Sequence, residues 1–393
     1  MAAISERRTF VLVIDACGVG ALPDAAAYGD EGTNTLAHVA EAVGGLRLPT
    51  LAALGLGSIV ELAGAAPAPQ PAIYGRLHPL GPGKDSITGH WELMGVVLDR
   101  AMPTYPRGFP PELIDRLQAA IGRELICNRP DNGLAAIEDF GAEHLRTGAL
   151  IIYTSQDSVL QLAGHEARIS AAELYEACAR ARAVMSDADA VGRVIARPFT
   201  GSPGSFTRTP GRRDLALAPP TRSYLQDLQD AGVAVHGVGK IPDLFAGVGI
   251  DCSHPGSDNE QALASTARLQ DELDCGFVFV NLIETDQVYG HRKDTSGFAR
   301  ALERIDAALG EMLGGLRGGD LLVVTADHGV DPAHPGTDHT REYAPLLACT
   351  GEMLRYGGGG ARHDGPLADV GASVLAWLTG ARDPDLPGRA FVS

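Results

Sequence analysis

Residues 321–343 read LLVVTADHGVDPAHPGTDHTREY, and the architecture of the whole chain follows from this stretch. It opens as an aliphatic and β-branched run, Leu321 to Thr325, and breaks off at Asp327-His328-Gly329. A continuous apolar run cut by glycine is the pattern of a parallel-sheet strand covered on both faces. Open sheets of that kind bind ligands beyond the C-terminal ends of their strands. There this strand delivers a carboxylate and an imidazole. Further on, Asp338-His339 offers a second pair in a loop broken by Pro332, Pro335 and Gly336. One Asp-His pair at a strand end is usually a hydrogen-bonded surface pair, but two on one loop suit a metal site with nitrogen and oxygen donors.

The design recurs in residues 277–294, FVFVNLIETDQVYGHRKD, where a buried-strand run is followed by Asp286 and His291. The first predicted strand, Thr9–Ile14, also ends in an acid, Asp15. Three strand ends thus present Asp15, Asp286 with His291, and Asp327-His328 with His339. That is enough for two divalent ions sharing a bridging oxygen. Asp and His ligands without Cys suit Mn²⁺ or Zn²⁺, and ligand type does not choose between them.

At 393 residues the chain is long enough for two domains. Its 45% hydrophobic and 21% charged residues describe an ordinary globular protein. A net charge of −17 argues against nucleic acid or an anionic membrane as partner. Of 32 basic residues only Lys84, Lys240 and Lys293 are lysines, each in a glycine-containing segment. The six cysteines are scattered, which favours free thiols in a reducing compartment. The N-terminal apolar run is interrupted by Asp15 and is too short for a signal peptide. No run approaches the ~18 residues of a membrane span. The expectation is a cytoplasmic protein.

Taken in order, Gly18-Val19-Gly20 after the first strand mimics a dinucleotide fingerprint. Pro23 replaces the third glycine, and Asp15 would repel a pyrophosphate, so that reading fails. Residues 33–62 have helical spacing, and Pro67, Pro69 and Pro71 mark a loop. Residues 81–95, GPGKDSITGHWELMG, put two hydroxyls, Ser86 and Thr88, at the start of a predicted helix. Such hydroxyls usually cap the helix. The same place also sets a nucleophile in the positive end of the helix field, where phosphate binds. From about residue 100 four prolines introduce a new αβ succession, with strands at 150–157 and 192–199, a helix at 171–185 and a Gly/Ser/Pro/Arg-rich loop at 200–214. The expected division is a metal-binding core of 1–99 and 220–393 with an inserted domain at 100–219.

The motifs KDSITGHWE, NLIETDQVYGHRKD, TADHG and PGTDHTRE, with VLVIDACGVGALPDA at the start, together resemble phosphopentomutase, of the alkaline phosphatase superfamily. The likeness runs end to end. It implies a three-layer α/β/α core with a smaller inserted α/β cap. It also implies interconversion of ribose 1-phosphate and ribose 5-phosphate, with the 2-deoxy sugars, through a phosphoenzyme and a 1,5-bisphosphate. By the resemblance Asp15, Asp327 and His328 hold one Mn²⁺, and Asp286, His291 and His339 the other. The phosphorylated hydroxyl falls on Ser86, with Thr88 the alternative. Ser155 and Asp157 would touch the sugar or its distal phosphate. Arg193 and Lys240 would hold the non-reacting phosphate, a role also open to Arg208 or Arg212. A sugar bisphosphate such as glucose 1,6-bisphosphate would prime the enzyme. Two positions depart from the family pattern, Ser86 where many members have Thr and Asn34 where relatives often have Asp. His90 reads as a structural or second-rank group, and His334 as an ordinary histidine. The rivals are a cofactor-independent phosphoglycerate mutase, a phosphatase or sulfatase of the superfamily, and a non-catalytic metal-bound binding protein.

Overall fold

The computed structural model describes residues 6–66, 72–155, 157–358 and 360–392. The Pro67–Pro71 loop and Gln156, in the strand expected at 150–157, lie outside them. The chain forms two compact units, Met1–Arg100 with Pro219–Ser393, and Ala101–Ala218. The strands in chain order are β1 (Arg8–Ile14) and β2 (Ile73–His78) in the first unit. The second unit holds β3 (Leu125–Pro130), β4 (Leu150–Thr154), β5 (Val159–His165), β6 (Arg193–Thr200), β7 (Thr207–Arg208) and β8 (Arg213–Ala216). The first unit then resumes with β9 (Val235–Val238), β10 (Cys252–His254), β11 (Gly276–Leu282), β12 (Asp320–Thr325), β13 (Ala344–Thr350) and β14 (Gly365–Pro366).

The first unit is a three-layer α/β/α body around an eight-stranded sheet of order β10-β9-β11-β1-β12-β13-β2-β14. From β10 to β12 every pairing is parallel, and β13 then runs antiparallel to both β12 and β2. β1 lies at the centre, with Val11 level with Phe279 of β11 and Val323 of β12. The apolar run Phe10–Val13 is wholly buried, as the lack of alternation in the sequence implies. Neighbouring strands lie about 4.8 Å apart. Because Ile14 is level with Leu282 and Val13 with Thr325, the residues after these three strands emerge side by side at one sheet edge. That register brings distant parts of the sequence to one place. Among the described residues no helix is long and apolar enough to cross a membrane.

The second unit carries its own sheet, β3-β4-β5-β6-β7, with β8 also paired to β6. Leu150 and Ile152 of β4 enter one apolar cluster with the helices Pro111–Ile121 and Ala171–Val184. Ile151 and Tyr153, pointing the other way, join Ala136 and Ile137 of the Gly133–Thr147 helix. The alternation is what period-2 geometry requires. The 200–214 stretch expected as loop contains β7 and the start of β8, which fold back antiparallel on β6. Such pairing uses main-chain groups, so a Gly/Pro/Arg-rich composition conceals it.

Candidate metal centre

Each strand end delivers its ligand by a different local device. After β1, Ala16 adopts a left-handed backbone (φ 61°), rare for a residue with a Cβ. Its N–H donates to Asp327 Oδ1 at 3.1 Å. Asp15 is fixed by Asn281 Nδ2, which donates to its Oδ2 at 3.0 Å, while Thr285 Oγ1 donates to its main-chain carbonyl at 2.6 Å. After β11 the chain winds as a short π-helical turn, Thr285–Gly290. Its i→i+5 bonding, with His291 N–H donating to Asp286 O at 3.3 Å, sets residues five apart on the same side. His291 Nε2 accordingly lies 3.3 Å from Asp286 Oδ1.

The six predicted ligands meet. His328 Nε2 is 3.4 Å from Asp15 Oδ1 and 3.3 Å from Asp327 Oδ2, and His339 Nε2 is 3.2 Å from Asp286 Oδ1. Two ligand groupings result, Asp15-Asp327-His328 and Asp286-His328-His339, each with donor atoms within 4.8 Å of one another. His328 stands in both groupings. His291 stands outside the tighter ones, though its ring centroid is 4.8 Å from that of His339. Hydrogen bonding fixes two tautomers. His328 Nδ1 faces the Gly329 carbonyl at 3.1 Å and His291 Nδ1 faces the Thr337 carbonyl at 2.6 Å. A carbonyl only accepts, so each Nδ1 carries the proton and each Nε2 offers its lone pair to the cluster.

The residues fit a cation on their own chemistry. Asp15 Oδ1, Asp286 Oδ1, Asp327 Oδ2 and His339 Nε2 are buried without a hydrogen-bond partner. Leaving buried polar atoms unpaired costs about 1–3 kcal/mol each, more when charged. These four face one another. Burial pushes the Asp15 carboxyl well above its usual range, and the negative charges of Asp327 and Asp286 push it further. Burial acts to raise Asp327 too, but His328 and His90 outweigh it and hold it to about 2. For Asp286 burial is likewise overcome, chiefly by the charge of His339. Burial works to lower His339, yet Asp286 raises it to about 9, whereas burial keeps His328 low. The cluster balances its charge with protons where divalent ions would balance it better.

Ser86 and Thr88 have different surroundings. Asp85 caps the Ser86–Leu93 helix, accepting from Ile87 N–H and Thr88 N–H. Thr88 is buried, and its hydroxyl donates to Asp85 Oδ2 at 2.8 Å, so it belongs to the cap. Ser86 Oγ instead lies 3.1 Å from His328 Nε2. Gly89, on the same helix, packs directly on the Asp327 main chain. The loop before the helix is strapped by Lys84 Nζ, 3.0 Å from Asp30 Oδ2, and by Arg341 Nη1, which donates to the Gly83 carbonyl at 2.6 Å. Lys293 Nζ donates to the His334 and Pro335 carbonyls and braces the ligand loop. The His334 ring faces the Gly29 carbonyl at 2.8 Å. Lys240 stands before the Ile241–Leu244 turn, and its charge acts to lower the Asp15 carboxyl.

In the second unit, Ser155 Oγ accepts from Asp157 N–H at 3.3 Å, and Arg193 Nη2 is 3.9 Å from Asp157 Oδ2. Those three residues lie together. Arg208 does not join them. It sits on β7 opposite Phe199, toward the far end of β6 from Arg193, with its guanidinium against Gly133.

Sequence reasoning missed Glu342 and Asn281. The Glu342 carboxylate accepts from Thr35 N–H and Gly20 N–H on one oxygen and from the Thr35 and Thr340 hydroxyls on the other. It ties the loops that follow Asp15 and His339. Asn281 had a signal, a polar residue inside a buried strand, which must have a partner.

A family model described as the Metalloenzyme superfamily matches residues 7–380. A phosphopentomutase of Caldanaerobacter subterraneus subsp. tengcongensis is 47% identical over 369 residues, 94% of this chain and 93% of that protein. Another, from an Anaeromyxobacter species, is 48% identical over 391 residues, 99% of each. The chain belongs to the phosphopentomutase family. Membership makes it an enzyme, an isomerase of a metal-dependent superfamily. Among solved structures it is similar to the phosphoglycerate mutase of Leishmania mexicana, studied at low cobalt concentration. There the TM-score is 0.48, with 13% identity across 99% of this chain and 98% of that one.

Proposed function

We propose that this chain interconverts ribose 1-phosphate and ribose 5-phosphate, and the 2-deoxy equivalents, by passing a phosphoryl group through Ser86. The observation that carries the reading is the position of Ser86 Oγ, 3.1 Å from a histidine of the ligand cluster, in a member of the phosphopentomutase family. In the first half-reaction the P–Oγ bond of phosphorylated Ser86 breaks as the free sugar hydroxyl bonds to phosphorus. The hydroxyl's proton ends on the released Oγ. The second half-reaction reverses this with the other phosphate of the 1,5-bisphosphate, so no phosphate is lost.

Asp15, Asp327 and His328 would hold one divalent ion and Asp286, His291 and His339 a second, manganese by family resemblance. When bound, such ions neutralise the transferring group and acidify the serine hydroxyl. Ser86 Oγ lies 3.1 Å from His328 Nε2, the atom that would face the ion, so the hydroxyl stands at the edge of the ligand cluster. The positive end of the Ser86–Leu93 helix favours the phosphate. Contacts to the sugar and its second phosphate are assigned to Ser155, Asp157 and Arg193, which lie together, and by family resemblance to Lys240; Arg208, at the other end of β6, is left out. A sugar bisphosphate, such as glucose 1,6-bisphosphate, supplies the first phosphoryl group. The net charge of −17 supports an enzyme of small molecules over one that binds nucleic acid or an anionic membrane, and the scattered cysteines support a cytoplasmic setting.

Incubation with glucose 1,6-bisphosphate followed by peptide mass spectrometry tests the reading. One phosphate on Ser86 is expected, absent in Ser86→Ala and retained in Thr88→Val. Release of free phosphate without pentose isomerisation would identify a phosphatase instead.

A further inference from the structure

His90 is fully buried, one turn after Ser86 on the same helix. Its Nδ1 lies 2.8 Å from the Ser86 main-chain carbonyl and 3.1 Å from Asp327 Oδ2. Its Nε2 is buried with no partner, and the ring packs 5.8 Å from the Phe279 ring, tilted 43°. Both atoms facing Nδ1 are acceptors, so the proton sits on Nδ1. A proton on Nε2 would be buried without an acceptor, so Nε2 keeps a bare lone pair. Asp327 Oδ1 already takes the Ala16 and His328 N–H groups. Asp327 Oδ2 has no hydrogen-bond partner, and His90 Nδ1 is the nitrogen 3.1 Å from it.

We infer that His90 is a positioning residue: its Nδ1–H, held on the Ser86 carbonyl, lies close enough to Asp327 Oδ2 to tie that carboxylate oxygen electrostatically to the main chain of Ser86. Ligand and nucleophile then move as one piece. The inference rests on Asp327 being a metal ligand. A donor that orients a ligand carboxylate typically governs metal affinity about ten- to hundredfold. The role needs one donor at one place, and no charge change. Gly89 reinforces it, because its bare Cα lets the helix lie against Asp327 with no slack.

Asparagine can set its amide nitrogen where the imidazole has Nδ1, whereas glutamine sets it near the Nε2 position. Mn²⁺ titration of the metal-free full chain, read by electron paramagnetic resonance of free Mn²⁺, should show affinity about ten- to hundredfold weaker in His90→Gln and His90→Ala. In His90→Asn it should recover to within about threefold, and that recovery is what a merely space-filling residue would not give. The kcat should follow the same order, with KM for ribose 5-phosphate unmoved. Equal affinities in His90→Asn and His90→Gln, or wild-type affinity in His90→Ala, would overturn the inference. Nitrogen NMR of the unmodified protein gives an answer that needs no variant to fold: a Nδ1–H tautomer is required, and a Nε2–H tautomer sinks the idea. If the unmodified protein binds no Mn²⁺, the metal reading itself fails. If it binds Mn²⁺ and every folded variant matches it, only the role of His90 falls.

Discussion

Replace Gly89 with alanine, and the ordinary rule for helix interiors promises a gain of roughly 0.5–1 kcal/mol. The surroundings of Gly89 reverse that sign. A Cβ there would lie 2.5 Å from the Asp327 carbonyl oxygen, 2.8 Å from Asp327 Cβ and 2.9 Å from its carbonyl carbon. Ordinary contact begins near 3.4 Å, so the helix must back away by about 0.9 Å. Main chain and Cβ atoms cannot swing aside as the end of a long side chain can. Overpacking of this kind costs about 1–3 kcal/mol, which leaves a net destabilisation of at most about 2.5 kcal/mol after the helix gain. The larger effect falls on chemistry. Ser86 rides on the same helix, and its 3.1 Å contact to His328 would open toward about 4 Å. A misplacement near 1 Å can cost about 10²-fold in rate. Steady-state turnover of ribose 1-phosphate, measured beside a urea midpoint, separates the two effects. A Gly89→Ala enzyme that is more stable than wild type and turns over within threefold of it would refute the packing argument.

Arg8 is buried against Asp320, with Nε donating to Oδ1 at 2.8 Å and Nη2 to Oδ2 at 2.5 Å. Arg8→Leu leaves a buried carboxylate without its cation and should cost about 3–5 kcal/mol in urea denaturation, much of it recovered by also making Asp320→Leu. In the second unit burial depresses the His144 imidazole, whose Nε2 accepts from His165 N–H at 2.8 Å and whose Nδ1 faces the Ala149 carbonyl. The folded state binds this proton less readily than the unfolded chain. Stability from His144 is therefore complete above pH 6.5 and lost as pH falls toward its depressed folded value. Thermal unfolding between pH 7.5 and 5 should show that loss, and His144→Gln should flatten it. Chelation should lower the unfolding temperature and Mn²⁺ restore it, by about 2.7 kcal/mol per ion at a hundredfold excess over Kd. A metal-independent melting curve would contradict the ligand cluster.

That Asp15, Asp286 and Asp327 lie near one another was readable, because three buried-strand runs each stopped at an acid and parallel strands bring such ends together. The winding after β11 was not readable, since no pattern in TDQVYG marks i→i+5 bonding. Ser86 and Thr88 could not be ranked from two hydroxyls in one helical turn. Their difference depends on Asp85 being the cap, which turns the third residue after it inward. The expected ligands form two separate triplets, and in the structure His328 stands in both groupings, on a loop whose Gly329 pairs back with Thr340. β7 and β8 stayed hidden because main-chain pairing leaves no mark on side-chain pattern. Glu342 was equally hidden, one acid among 49 until Thr35 and Gly20 are seen to converge on it.

The place of β1 has a consequence for how the chain is made. Arg8 lies beside Gly276 on one side and Asp320 on the other, so β1 waits for neighbours made about 270 and 310 residues after it. At about 5–20 residues per second, the ribosome takes roughly a quarter of a minute to a minute to deliver both. Meanwhile Ala101–Ala218, contiguous in sequence, can close as soon as it emerges. A nascent chain stalled before Gly276 carries the contiguous Ala101–Ala218 unit and a β1 with neither neighbour, an apolar run open to chaperones and proteases.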